Sequence, residues 1–124
     1  MPSNIRVLIA DDHRLFAEAL EAILDSEPDI EVVGRARNGE EAVEQALALT
    51  PDVILMDIAM PGVDGVEATK RIRRKERDAC VLMLTGSNSR TDVARSREAG
   101  AAAYVTKDRI AAQLIEAIRE LAPG

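Results

Sequence analysis

Five residues in this 124-residue chain have types and positions suited to joint chemistry: Asp11, Asp12, Asp57, Thr85 and Lys107. Each follows directly on a short apolar run. Asp11 and Asp12 close Ile5-Arg-Val-Leu-Ile-Ala10, and Asp57 closes Val53-Ile-Leu-Met56. Thr85 closes Cys80-Val-Leu-Met-Leu84, and Lys107 comes two residues after Ala103-Tyr-Val105. Clustered carboxylates without partner histidines suit a hard divalent cation with oxygen ligands, above all Mg²⁺. Mg²⁺ beside a carboxylate, a hydroxyl and an ammonium makes a site for phosphoryl transfer, in which the carboxylate can act as nucleophile and become an acyl phosphate. Singly, each residue has a plainer role: Asp12 as a helix cap, Thr85 as a strand-end hydroxyl, Lys107 as a solvated lysine.

The elements that must position these groups alternate along the chain. Strands are expected at 5–10, 31–33 (ended by Gly34), 53–56, 80–84 and 103–105. Helices are expected at 13–26, from Asn38 to Pro51, from Asp64 to about Arg74, at 89–99 closed by Gly100, and from Ile110 to Leu121. In the first helix Leu15, Phe16, Ala19, Leu20, Ile23 and Leu24 share one stripe. Asn38 with Glu41, and Asp64 with Glu67, read as helix N-terminal capping pairs. The helix at 89–99 has the weakest apolar face, only Val93, Ala94 and Ala99. Near-continuous apolar strands imply burial on both faces, hence an α/β fold with a parallel sheet between helices. In such a sheet all five polar residues lie at the carboxyl edge, where ligands bind.

Composition excludes several alternatives. The net charge of −6 and the presence of only two aromatic residues, Phe16 and Tyr104, argue against nucleic-acid binding by this chain. One cysteine, Cys80, leaves no internal disulfide or CxxC pair and reads as a small core residue. No apolar run approaches the roughly 18 residues of a membrane span, and the N-terminus lacks a signal-peptide pattern, so a cytoplasmic location and no membrane partner are expected. GxxxxGK[ST], GxGxxG and GxSxG motifs are missing. His13 reads as a solvated or locally bonded ring, Met60 as packing, and the basic run Arg71, Arg73, Arg74, Lys75 and Arg77 as a helix end that favours cations.

Ile9-Ala-Asp-Asp-His13, Leu55 to Gly65, Leu84-Thr-Gly86 and Tyr104-Val-Thr-Lys107 together resemble a response-regulator receiver domain, CheY-like, over about residues 5–121 of a single 1–124 domain. The wording around Asp12-His13 and Gly39-Glu-Glu-Ala42 is similar to the NarL/FixJ subfamily of two-component regulators. That resemblance implies a doubly wound, flavodoxin-like sheet of five parallel strands in the order 2-1-3-4-5. It implies Asp57 as phospho-acceptor, with Mg²⁺ held by Asp11, Asp12, Asp57 and the backbone carbonyl of Ala59. Thr85 and Lys107 would contact the phosphoryl oxygens, and Thr85 and Tyr104 would form the switch. The partner implied is a sensor histidine kinase, with a homodimer as a further candidate and DNA reached only through an output domain. The chain ends at Gly124 without one, and Pro123-Gly124 reads as the start of a linker, so an excised receiver is expected over a stand-alone one. A signalling receiver that assists its own phosphorylation and dephosphorylation is expected, rather than a Mg²⁺-dependent aspartyl-phosphate phosphatase or phosphotransferase. No connection is long enough to build that enzyme's lid.

Overall fold

Strand side chains point alternately to two sides, and both sides here are apolar. In the computed structural model, which describes residues 4–86 and 90–122, five strands form one parallel sheet in the order β2-β1-β3-β4-β5. The strands are β1 (Ile5–Ala10), β2 (Ile30–Ala36), β3 (Val53–Asp57), β4 (Val81–Thr85) and β5 (Ala103–Thr106). The helices are α1 (Arg14–Asp25), α2 (Gly39–Leu49), α3 (Gly65–Lys75), α4 (Arg90–Ala99) and α5 (Ile110–Leu121). Val7, Ile9, Val53, Leu55, Leu82, Leu84 and Val105 pack with α1 and α5. Leu8, Ala10, Ile54, Met56, Val81 and Met83 pack with α2, α3 and α4. This is the doubly wound, flavodoxin-like arrangement implied by the resemblance. Among the described residues no helix is long and apolar enough to cross a membrane.

The capping pairs form as expected. Asn38 accepts the Glu41 N–H at 2.9 Å and Asp64 accepts the Glu67 N–H at 2.9 Å. Glu41 returns its carboxylate to the Arg37 N–H at 3.0 Å, one residue before the cap.

Several local expectations are corrected. Gly34 does not end β2; the strand runs on to Ala36, with a register shift where Val7 pairs with Val32 but Leu8 with Gly34. Leu15 and Ala19 are exposed, Leu15 at 80%. The buried line of α1 is instead Ala17, Leu20 and Leu24, because the helix meets the sheet along a narrower stripe than its apolar content suggests. Cys80 lies just before β4, half-buried. In α4 the buried residues are Ser96 and Ala99, while Ala94 is exposed; Ser96 enters the core by donating its hydroxyl to the Asp92 carbonyl at 2.8 Å. Arg73 is not merely solvated: its guanidinium donates to the carbonyls of Arg77 and Ala79, closing the turn into β4. Lys107 opens a short 3₁₀ turn, Lys107–Arg109, that periodicity did not reveal. Ser87, Asn88, Ser89, Pro123 and Gly124 lie outside the described residues.

Glycine governs how closely α3 approaches β3. A Cβ on Gly65 would stand 2.2 Å from the Asp57 carbonyl oxygen and 2.9 Å from Ile58 Cα, both backbone atoms that cannot swing away. At Gly86 an added Cβ meets nothing within 4 Å. Gly65→Ala is therefore expected to lower stability by about 2–3 kcal/mol through overpacking, and Gly86→Ala to change it by no more than about 0.5 kcal/mol. Thermal melts of the two variants check the contrast.

Candidate functional site

Two strand ends are built by the same local device. Asp11, just beyond β1, accepts the His13 N–H through Oδ1 at 2.8 Å. Asp57, the last residue of β3, accepts the Ala59 N–H through Oδ1 at 3.2 Å. An aspartate that bonds the backbone two residues on turns the chain and fixes its own carboxylate. β1 and β3 are adjacent and parallel, with Ala10 paired to Met56, so the two turns lie side by side. Asp11 and Asp57 are 3% and 1% exposed, whereas Asp12 faces solvent. Asp12 does not cap α1: the N-cap position is His13, and no side chain caps that end.

The second oxygens of both buried carboxylates, Asp11 Oδ2 and Asp57 Oδ2, have no hydrogen-bond partner among the described residues. Lys107 Nζ faces both, at 3.9 Å from Asp11 Oδ2 and 3.4 Å from Asp57 Oδ2. Those separations supply attraction without the 2.7–2.9 Å hydrogen bond of a tight charged pair. Burial, and then the Asp11 charge, push the Asp57 carboxyl above the ordinary aspartate range; Lys107 and the Ala59 N–H pull it back only in part.

Thr85 is fully buried at the end of β4. Register puts it next to this cluster, since Asp57 pairs with the preceding Leu84, and Thr85 itself pairs with Thr106, the neighbour of Lys107. Tyr104 pairs with Met83 and packs, half-buried, against the core layer of α2, α3 and α4. It lines a surface depression with Arg90, Val93, Ala94 and Arg97. All the residues expected at the site thus converge on one sheet edge, with Tyr104 set back from it on the α4 side.

His13 is the locally bonded ring expected: its Nδ1 lies 3.2 Å from Asp12 Oδ1, 3.4 Å from Asp11 Oδ1 and, across the sheet edge, 3.9 Å from Asp57 Oδ2. Phe16, assigned only to a core stripe, carries the Lys107 ammonium over its ring. The position of Phe16 in the first turn of the helix that follows the acidic pair was the available signal. Asp11, Asp12, His13 and Asp57 together offer donor atoms within 4.8 Å of one another. Two orphaned, buried carboxylate oxygens within such a set fit a hard divalent cation.

Comparison with known proteins gives a consistent picture. Residues 7–119 match the response regulator receiver domain family. The transcriptional regulatory protein LiaR of Bacillus subtilis is 46% identical over 97% of the chain and 57% of its own length. DegU of Brevibacillus brevis, also a transcriptional regulatory protein, is 43% identical over 98% of the chain and 52% of its own length. The chain thus spans little more than half of these relatives. Among solved structures, the receiver domain of the putative regulator NarL from Mycobacterium tuberculosis superposes with a TM-score of 0.91 at 33% identity, covering 96% of each chain. The response regulator domain of Thermotoga maritima CheB superposes at 0.89 with 38% identity, covering 95% of this chain and 96% of that one.

The raised Asp57 carboxyl sets a pH dependence. The folded state holds that proton more tightly than the unfolded chain, so Asp57 contributes a loss of stability as pH rises from the ordinary aspartate value, about 3.9, through the raised one. In chelator, Asp57→Asn is expected to remove this slope and to exceed the parent in stability by about 1–2 kcal/mol at neutral pH, as relief of an unsatisfied buried charge. Urea melts of both proteins across a pH series measure the widening gap.

Proposed function

This chain belongs to the response-regulator receiver family, the phosphorylation-activated signalling domains of two-component systems, and from that premise we propose that Asp57 is the residue that accepts the phosphoryl group. The observation that carries this reading is the buried Asp57 carboxylate, anchored through Oδ1 and facing Asp11 and Lys107 through an Oδ2 without a hydrogen bond. Lone pairs not committed to a donor remain available to bond metal or phosphorus.

In the proposed reaction a carboxylate oxygen of Asp57 attacks the phosphorus of a phosphohistidine on a sensor histidine kinase. The new O–P bond forms as the P–N bond breaks, and the imidazole leaves with the electron pair and takes up a proton. Receiver domains bind Mg²⁺ at an acidic pocket, and in this chain Asp11, Asp12, Asp57 and the Ala59 carbonyl would hold it. When bound, the ion supplies positive charge against the phosphoryl oxygens. Lys107 neutralises charge from the opposite side, and Thr85 donates its hydroxyl to a phosphoryl oxygen.

The consequence is a shift between two conformations. Thr85 drawn inward moves Gly86, where an added Cβ would meet nothing within 4 Å, and Tyr104 reorients in response. Support comes from α4, which buries only Ser96 and Ala99 and is therefore easily displaced. The relatives named as transcriptional regulators suggest that the whole protein controls transcription in the cytoplasm, with DNA contacted by an output domain and a second copy of the chain as a candidate partner.

Intact-mass measurement after exposure to phosphoramidate and Mg²⁺ is expected to show one phosphoryl adduct, lost in Asp57→Asn and with chelator. An adduct that persists in Asp57→Asn would place the acceptor elsewhere. Amide exchange with and without a phosphoryl mimic is expected to change within residues 85–107 and only weakly in α5. Changes confined to the turns after Asp11 and Asp57 would mean binding without a switch.

A further inference from the structure

We propose that Phe16 is a positioning residue for the phosphoryl-transfer site, its ring forming the platform that holds the Lys107 ammonium over the Asp57 carboxylate. The inference rests on the reading of Lys107 as a phosphoryl-contacting group and deepens it.

Lysine is a point charge at the end of four flexible methylenes, and holding it in one place costs side-chain entropy. The ion pairs to Asp57 and Asp11, at 3.4 and 3.9 Å, draw the ammonium inward without fixing its direction, and the side chain remains 26% exposed. A further neighbour is Phe16, whose ring lies under the ammonium with Nζ 4.6 Å from the centroid. The negative face of an aromatic ring attracts a cation at this range, more strongly where water is partly excluded.

Phe16 is well placed to serve as a fixed surface. It is the third residue of α1, half-buried and packed against the core shared by α1 and α5. It also follows Asp12 by four residues, so the segment that carries the acidic pair runs directly into the helix that carries the platform. Packing alone would accept leucine or methionine at such a half-buried position. A cation requires the ring.

The arrangement has a direct consequence for catalysis. When a phosphoryl group arrives at Asp57, the ammonium must meet oxygens that lie farther out than the carboxylate. A lysine held from behind by an aromatic face can advance a short way without dispersing into solvent. Without the ring, the same side chain spends more time hydrated and away from the reacting oxygens, and positioning is the main thing such a site contributes.

The test is a double-mutant cycle on the full 124-residue chain, combining Phe16→Leu with Lys107→Ala, with Phe16→Tyr as the conservative variant. Phosphoryl incorporation from phosphoramidate in saturating Mg²⁺ is expected to slow about threefold to tenfold in Phe16→Leu and to stay near the parent rate in Phe16→Tyr. In the Lys107→Ala background, Phe16→Leu is expected to have no further effect. An equal slowing in both backgrounds would overturn the proposal, since the ring would then act through packing. The NMR shift of the Lys107 ε-methylene protons gives an independent readout that requires no activity. Ring current is expected to move them upfield in the parent and in Phe16→Tyr, and Phe16→Leu is expected to restore the position of a solvated lysine; no upfield shift in the parent would also overturn it. If Lys107→Ala alone leaves the rate unchanged, the phosphoryl-contacting reading of Lys107 falls, while the proton shift still decides whether Phe16 holds the ammonium.

Discussion

Two buried carboxylates that lack enough hydrogen bonds dominate this protein. Asp11 and Asp57 sit at adjacent parallel strand ends, each with one oxygen tied to its own turn and one left without a donor. Such a pair repels itself and is poorly solvated, so it persists only because the sheet on which it stands is rigid and because Lys107 stands opposite. The metal-free fold carries a cost that charge arriving from outside relieves.

Strand parity then sends the edge residues to two sides of the sheet. Asp11 and Asp57 continue the rows of Val7, Ile9, Val53 and Leu55, on the side covered by α1 and α5. Lys107 follows Val105 by two residues, and Phe16 comes from α1 on that same side. Thr85 continues the row of Val81 and Met83, on the side covered by α2, α3 and α4, where Tyr104 also packs. β4 is the shared element: Leu84 pairs with Asp57, and the next residue points the other way. A change at the carboxylates can cross the sheet in one residue.

Among the helices, α4 contributes least to the core. α4 buries one serine and one alanine, whereas α5 buries Ile110, Leu114 and Ile118. An Arg95–Asp64 contact at 3.2 Å ties α4 to the cap of α3, but both side chains are exposed, so the pair stabilises by no more than about 1 kcal/mol. α4 is thus the least buried helix, while α2 and α3 pack against its side of the sheet as densely as α1 and α5 do on the other.

Much of this was legible in the chain itself. Apolar β-branched runs ending in Asp11, Asp57 and Thr85 imposed strands buried on both faces, and capping residues such as Asn38 and Asp64 marked helix starts, because these signals are local and periodic. With parallel strands, residues at their carboxyl ends must share an edge, so the convergence of these side chains followed from pattern. What pattern could not decide were the choices made by contact between distant segments. Leu15 is apolar yet exposed, since the angle at which α1 meets the sheet selects Ala17, Leu20 and Leu24 instead. Gly34 stays inside β2, because pairing with β1 continues past a shifted register. His13 reads as a solvated or locally bonded ring and Phe16 as core packing, and only the approach of β3 and of the turn after β5 brings the Asp57 carboxylate and the Lys107 ammonium to them. Periodicity assigns a side chain to a face; which charge it meets there depends on the strands that arrive beside it.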